Sequence, residues 1–147
     1  MNFAILARSA TVIALSVSAL GLVSCAGGPS YAEAKSTLPP IAKGKGRVFV
    51  YRPGTFGMAY KPTVNIDGQE AGTLYAQGFF YSDQTPGSRN ISIRTEANHE
   101  NTVNVKAGQP SFVQCKTYPG FLTPHFIPNQ VDNAAGEAEI QDCKLAE

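Results

Sequence analysis

Tryptophan is missing from this chain of 147 residues, and there are only 2 histidines and 3 cysteines. His99, His125, Cys115 and Cys143 are scattered without any spacing that a metal requires, so the sequence implies neither a metal centre nor a cofactor. Charge is sparse and balanced, with 12 Lys and Arg against 11 Asp and Glu. A chain so close to neutrality has no electrostatic reason to seek nucleic acid or an acidic surface. Long apolar runs are missing too. The longest extends from Ala10 to Val23, short of the roughly 20 residues a helix needs to cross a bilayer. No Gly-x-Ser-x-Gly elbow is present, and Ser92 has no His and Asp at a recognisable spacing. Gly44-Lys45-Gly46 precedes a strand pattern instead of joining a strand to a helix, so it is not a phosphate loop. Nothing in the chain asks for catalysis, and a non-catalytic protein is expected.

Cys25 is what stands out once these absences are set aside. It follows Arg8 and the apolar run and closes Leu22-Val23-Ser24-Cys25, a stretch that resembles the lipobox of bacterial lipoproteins. The resemblance implies a signal peptide over residues 1–24, removed before the small Ser24 hands over to Cys25, and acyl chains on that cysteine. Several acyl chains hold stably where one is marginal. The alternative is an uncleaved anchor helix. Loss of Arg8 with the signal leaves positive and negative residues equal, so membrane attachment has to come from the lipid. Ala26 is not the Asp that usually retains such proteins at the inner membrane, which in a Gram-negative cell sets the outer membrane, facing the periplasm, as the expected location.

With Cys25 given to lipid, Cys115 and Cys143 remain as a candidate disulfide in a compartment that permits one. Closing that loop is worth about 3 to 4 kcal/mol in the chain-entropy model. The alternative is two reduced cysteines serving as small apolar residues.

Residues 25–44 read as the lipidated cysteine followed by a flexible tether. Gly27-Gly28-Pro29-Ser30 and Pro39-Pro40 favour extended chain, with at most a marginal helix over Tyr31 to Lys35. Residues 45–147 read as one β domain. Arg47-Val48-Phe49-Val50-Tyr51-Arg52 is apolar on both faces, as an interior strand should be. Thr63 to Ile66 alternates into Asp67-Gly68, a hairpin turn signal. Asn90 to Arg94 and Thr102 to Lys106 are the cleanest alternating strands, placing Ile91, Ile93, Val103 and Val105 on one buried face. With Gln69 to Leu74, Phe79 to Tyr81 and Ser111 to Lys116, about seven strands predict an all-β antiparallel sandwich or barrel. Beyond Cys115 regularity fades. Pro119, Pro124 and Pro128 exclude a helix or a central strand there, and Ala134 to Lys144 fits a short helix or an edge strand.

The order of Gly46 to Pro53, Val64 to Gly68, Gly78 to Tyr81 and Pro86-Gly87 resembles an uncharacterised family of small bacterial lipoproteins. Their β-rich domain is related in pattern to PEGA and transthyretin-like sandwiches, and Arg89 stands where that family often has His. The resemblance runs from about Lys45 to Cys115 and implies fold and location, with no functional residues to transfer.

Three features remain as candidates for chemistry or binding. Glu96, His99 and Glu100 have acid–base potential, but a polar connection between two strands is expected to leave them solvated and untuned. Tyr118, Phe121 and Phe126 in the proline-rich segment are candidate binding aromatics, against the alternative that they fold back and cap the sandwich. Phe56 to Tyr60 forms a loop that either contacts a partner or packs down. The sequence therefore predicts an envelope lipoprotein whose domain contacts an envelope protein or the cell wall. The second expectation is a module for glycan or a small apolar ligand.

Overall fold

The computed structural model describes residues 27–146; the expected signal segment and the lipidation site Cys25 lie outside them. Among the described residues nine strands form two sheets that face one another. The larger has the order β8-β7-β1-β4-β9, with β1 Gly46–Arg52, β4 Gly78–Gln84, β7 Pro110–Tyr118, β8 His125–Val131 and β9 Lys144–Leu145. The smaller has the order β3-β2-β5-β6, from β2 Thr63–Ile66, β3 Gln69–Thr73, β5 Gly87–Arg94 and β6 Asn98–Val105.

The sandwich expected from the sequence is present, with two differences. First, β8 and β9 add to the seven strands legible in the sequence. Second, not every pair is antiparallel, because β1 runs parallel to β7 and β4 parallel to β9. After β6 the chain crosses to the larger sheet and enters β7 at the same end at which β1 begins. There Gly108 donates to the Lys45 carbonyl and Arg47 N–H to that of Gln109.

Strand β1 is central, and all of its residues are buried, which explains why its sequence is apolar on both faces. Val48 and Val50 face inward with Val113, Phe80 and Phe126, against Val64, Ile66, Ile91, Ile93, Val103 and Val105 of the smaller sheet. The expected buried face of β5 and β6 is therefore observed. The turn between β2 and β3 also has its expected form: Asp67 and Gly68 both have positive φ, 51° and 79°, the requirement of a type I′ hairpin.

The outward side chains of β1 are buried too. Phe49, Tyr51, Phe79 and Phe112 form a second cluster with Tyr31, Ala34, Ile140 and Cys143. The cover comes from helix α1, Tyr31–Ala34, and helix α2, Asn133–Glu139. Tyr31 is 3% exposed and meets the rings of Phe49 and Phe79 edge-on at 5.3 and 5.5 Å. The tether expected over residues 25–44 is thus packed from Gly28 onward. Ser30 and Glu33 form a reciprocal capping box that nucleates a turn too short to persist alone. The aromatic burial under Tyr31 supplies the rest.

The expected disulfide is not formed. Cys115 and Cys143 are both free and buried. Cys115 belongs to the cluster between the sheets and Cys143 to the one beneath the helices, so the larger sheet lies between two thiols that a disulfide would need in direct contact. Burial pushes both thiols up to about 12, which leaves them as neutral apolar side chains.

Candidate functional site

The candidate site is one end of the sandwich, where the chain leaves β1 at Arg52 and β7 at Tyr118 and enters β8 at His125. Tyr51 is in register with Gln114, so β7 continues past the end of β1 to Tyr118, which pairs with His125. Two loops cover this end, 53–62 and 119–124, and the tight turn 95–97 between β5 and β6 is bonded to the second.

Arg52 builds the first loop. Its side chain is fully buried, donating to the carbonyls of Tyr60 (3.0 Å) and Phe56 (2.5 Å), with its guanidinium 4.8 Å from the centre of the Phe126 ring. Its Nε is the one buried side-chain polar atom among the described residues without a hydrogen-bond partner. Burial lowers the pKa of this guanidinium. Two carbonyls and an aromatic face offset that desolvation in place of a carboxylate.

Glu96 builds the second loop. Its Oε1 accepts from the Phe121 N–H and its Oε2 from the Leu122 N–H, both at 2.8 Å, while its own N–H donates to Thr123 Oγ1. His125 Nε2 lies 2.8 Å from Glu96 Oε1, and His125 Nδ1 lies 2.9 Å from His99 Nε2. The protons follow from the chemistry. A carboxylate accepts only, so His125 donates from Nε2 to Glu96, and one proton is shared between His125 Nδ1 and His99 Nε2. The N–H of Leu122 first, then the bond from His125, hold the Glu96 carboxyl below its ordinary range. Gly120 makes this approach sterically feasible, because a Cβ there would stand 2.3 Å from Glu96 Oε1 and 1.9 Å from the Thr123 carbonyl.

This corrects the expectation that Glu96 and His99 lie in a solvated connection. The Glu96 side chain is only 20% exposed and holds a neighbouring loop. Glu100, by contrast, is exposed and accepts a hydrogen bond from Asn90 Nδ2 at 3.4 Å. The three-membered chain has the form of an acid–base relay. Among the described hydrogen bonds, however, His99 reaches no hydroxyl or thiol, and the visible role of the chain is to tie β6, β8 and the loop together.

On the outer face of the larger sheet the same end carries a cleft of about 310 Å³, lined by Pro53, Gly54 and Phe56 on one side and by Gln114, Lys116 and Tyr118 of β7 on the other. Beside it, Glu139 of α2 accepts from Tyr51 Oη at 2.6 Å and from Gln114 Nε2 at 2.5 Å. Burial and the neighbouring Glu139 raise the Tyr51 phenol, keeping it a neutral donor.

The candidate aromatics divide. Phe126 is fully buried between the sheets and is closed to any ligand, so capping is its role. Tyr118 and Phe121 do not cap; they are 46% and 93% exposed. Phe56, Met58 and Tyr60 are likewise exposed, and Tyr118 and Phe56 line the same cleft. Among the described residues the exposed large apolar side chains are Phe56, Met58, Tyr60, Tyr118, Phe121 and Leu122, every one of them in the two loops of this end or at their bases. Sequence reasoning missed Arg52, Glu139 and the His99–His125 contact.

Residues 42–125, more than half of the chain, match the model of a family described as protein of unknown function (DUF2846). The match spans β1 to β7 and ends at His125, so it includes both loops and all three members of the Glu96–His125–His99 chain. No curated protein and no solved structure matches.

Proposed function

This chain belongs to the DUF2846 family of proteins of unknown function, and on that premise we propose that it is a lipid-anchored envelope protein. It acts by binding, with the cleft end of its sandwich turned to another protein of the same envelope. One observation carries the binding face: every exposed large apolar side chain among the described residues lies at this end, beside an apolar cleft. Soluble domains rarely leave such a grouping uncovered unless it meets a partner. Rigid aromatics flanking a pocket are the usual anchors of such contacts.

The lipid anchor is supported by the run ending in Leu22-Val23-Ser24-Cys25, and an outer-membrane, periplasm-facing location by Ala26 after the cysteine. The similarity of the domain to PEGA and transthyretin-like sandwiches belongs to the same reading. In it the first strands form a scaffold and the loops recognise.

A second reading keeps the same cleft for a glycan or small apolar ligand, favoured by the aromatic side chains of Phe56 and Tyr118 that line it. In-cell cross-linking, purification in detergent and mass spectrometry separate the two. A reproducible envelope protein, lost in the Phe56→Ala, Tyr118→Ala double variant with its unfolding midpoint unchanged, supports the first. If the intact chain brings no protein down, the first reading fails, and binding of cell-wall fragments to the purified domain decides the second.

A further inference from the structure

We propose that the tip of the 119–124 loop, Phe121 and Leu122, enters the interfacial layer of the bilayer to which Cys25 is attached, so that the domain touches its membrane at two places. This rests on the lipid anchoring proposed above. The cleft, on the outer face of the larger sheet, stays free for the partner.

The tip is built for a surface that is not water. Phe121 and Leu122 are adjacent and are 93% and 74% exposed, the two most exposed large apolar side chains described. Their backbone is ready for a medium without hydrogen-bond partners. An N–H carried into lipid unpaired is costly, yet both N–H groups of the tip are already held by the Glu96 carboxylate at 2.8 Å. That carboxylate also accepts from His125 Nε2 at 2.8 Å, so its oxygens are hydrogen-bonded behind the tip. Exposed Arg94 ends β5 just before the turn that holds the tip, where it suits anionic headgroups.

The anchor confines the domain to that surface. Gly28 N–H donates to the Leu145 carbonyl at 3.1 Å, and Ser30 bridges Lys144. Upstream of Gly28 only residues 25–27 separate the packed chain from the lipidated cysteine, a reach of about 10 Å when extended. Strand β9 begins beside Gly78, which pairs with Arg52, so Ser30 meets the fold level with the end of β1, on the sheet edge opposite β8. A domain held this closely cannot stand off the bilayer, and the loop end carries the apolar groups able to enter it.

Because the sequence has no tryptophan, Phe121→Trp in the full lipidated chain supplies a single reporter at an exposed position. The chain is reconstituted in vesicles of phosphatidylethanolamine and phosphatidylglycerol, with and without brominated acyl chains. The expected result is emission shifted to the blue and quenched by the brominated lipid, while Phe56→Trp in the same vesicles stays open to aqueous acrylamide. Emission at position 121 that remains quenched by acrylamide overturns the proposal. So does a blue shift without bromine quenching, which would mark contact with protein, a second copy included. The mass of the mature N-terminus separates the two failures. A chain without acyl mass overturns the anchoring and the tip contact with it; an acylated chain whose reporter at position 121 stays in water overturns the tip contact alone.

Discussion

Two arginines bound the central strand, and their fates differ. Arg47 is buried and paired: its guanidinium donates to Asp83 at 2.7 and 3.0 Å and to the Pro39 carbonyl at 2.7 Å, and it lies over the Tyr81 ring. It fastens the N-terminal segment to the far end of the sandwich, as Arg52 fastens the 53–62 loop at the near end. The hydrogen bonds from Arg47, followed by that from the Ala42 N–H, hold the Asp83 carboxyl below its ordinary range against the opposing effect of burial. A carboxyl that binds its proton less readily folded than unfolded favours the folded state wherever it is ionised. Its stabilisation is therefore complete above the unfolded value of about 4 and is lost as pH falls through the lower folded value. Glu96 acts in the same direction. Urea unfolding across pH should show this acid loss, and Asp83→Asn should destabilise by about 1–3 kcal/mol at neutral pH while flattening the profile below pH 4. In sequence both arginines read only as polar flanks of an apolar run. What each one binds lies too far along the chain, or on the backbone, for spacing to reveal.

Among the elements, those with strict alternation are legible in the sequence and those completed by tertiary contact are not. Strands β5 and β6 carry their own pattern, and Asp67-Gly68 dictates its own turn. Strand β8 contains Pro128, which argues against a strand until its place is known; as the outermost strand it pairs only with β7, so the missing N–H costs it little. Helix α1 reads as linker because it spans a single turn. Yet Tyr31, Ala34 and Leu38 recur at helical spacing, a signal the sequence does hold. In the chain Glu96–His125–His99 the sequence shows Glu96 and His99 as neighbours with acid–base potential, but not His125, which lies 29 residues from Glu96 and is joined to it only by the topology.

Helix α2 gives an element-scale prediction in which two effects oppose. Gly136→Ala should favour the helix by about 1 kcal/mol on intrinsic preference. The added Cβ, however, would stand 2.3 Å from Phe112 Cβ, an atom fixed to the backbone of β7 that cannot swing aside. Overpacking costs about 1–3 kcal/mol, so the variant should be less stable, with faster amide exchange in α2 than in β1. Unfolding with denaturant and exchange by mass spectrometry check both.

For the whole molecule, the sheet, its facing sheet and its helical cover make three layers, and one thiol is sealed in each of the two interfaces. A thiol reagent should therefore leave Cys115 and Cys143 unlabelled in the native domain and label both once it is unfolded, while a reductant leaves the unfolding midpoint unchanged. Labelling of either thiol under native conditions, or a reductant-dependent midpoint, would contradict the packing. The fold class is readable at this scale because a both-faces-apolar strand demands two covers. That the second cover is made from the supposed tether and the final helix follows only from where Tyr31 and Ile140 come to rest.

The bridge between Ser30 and Lys144 has a mechanical meaning. Tension entering the domain from residue 27 passes first into the last strand of the same chain, then through Tyr31 into the aromatic floor. The final residues thus act as a buckle: pulling on the front of the protein is resisted by its tail, and the loops at the cleft end stand outside the path of the force.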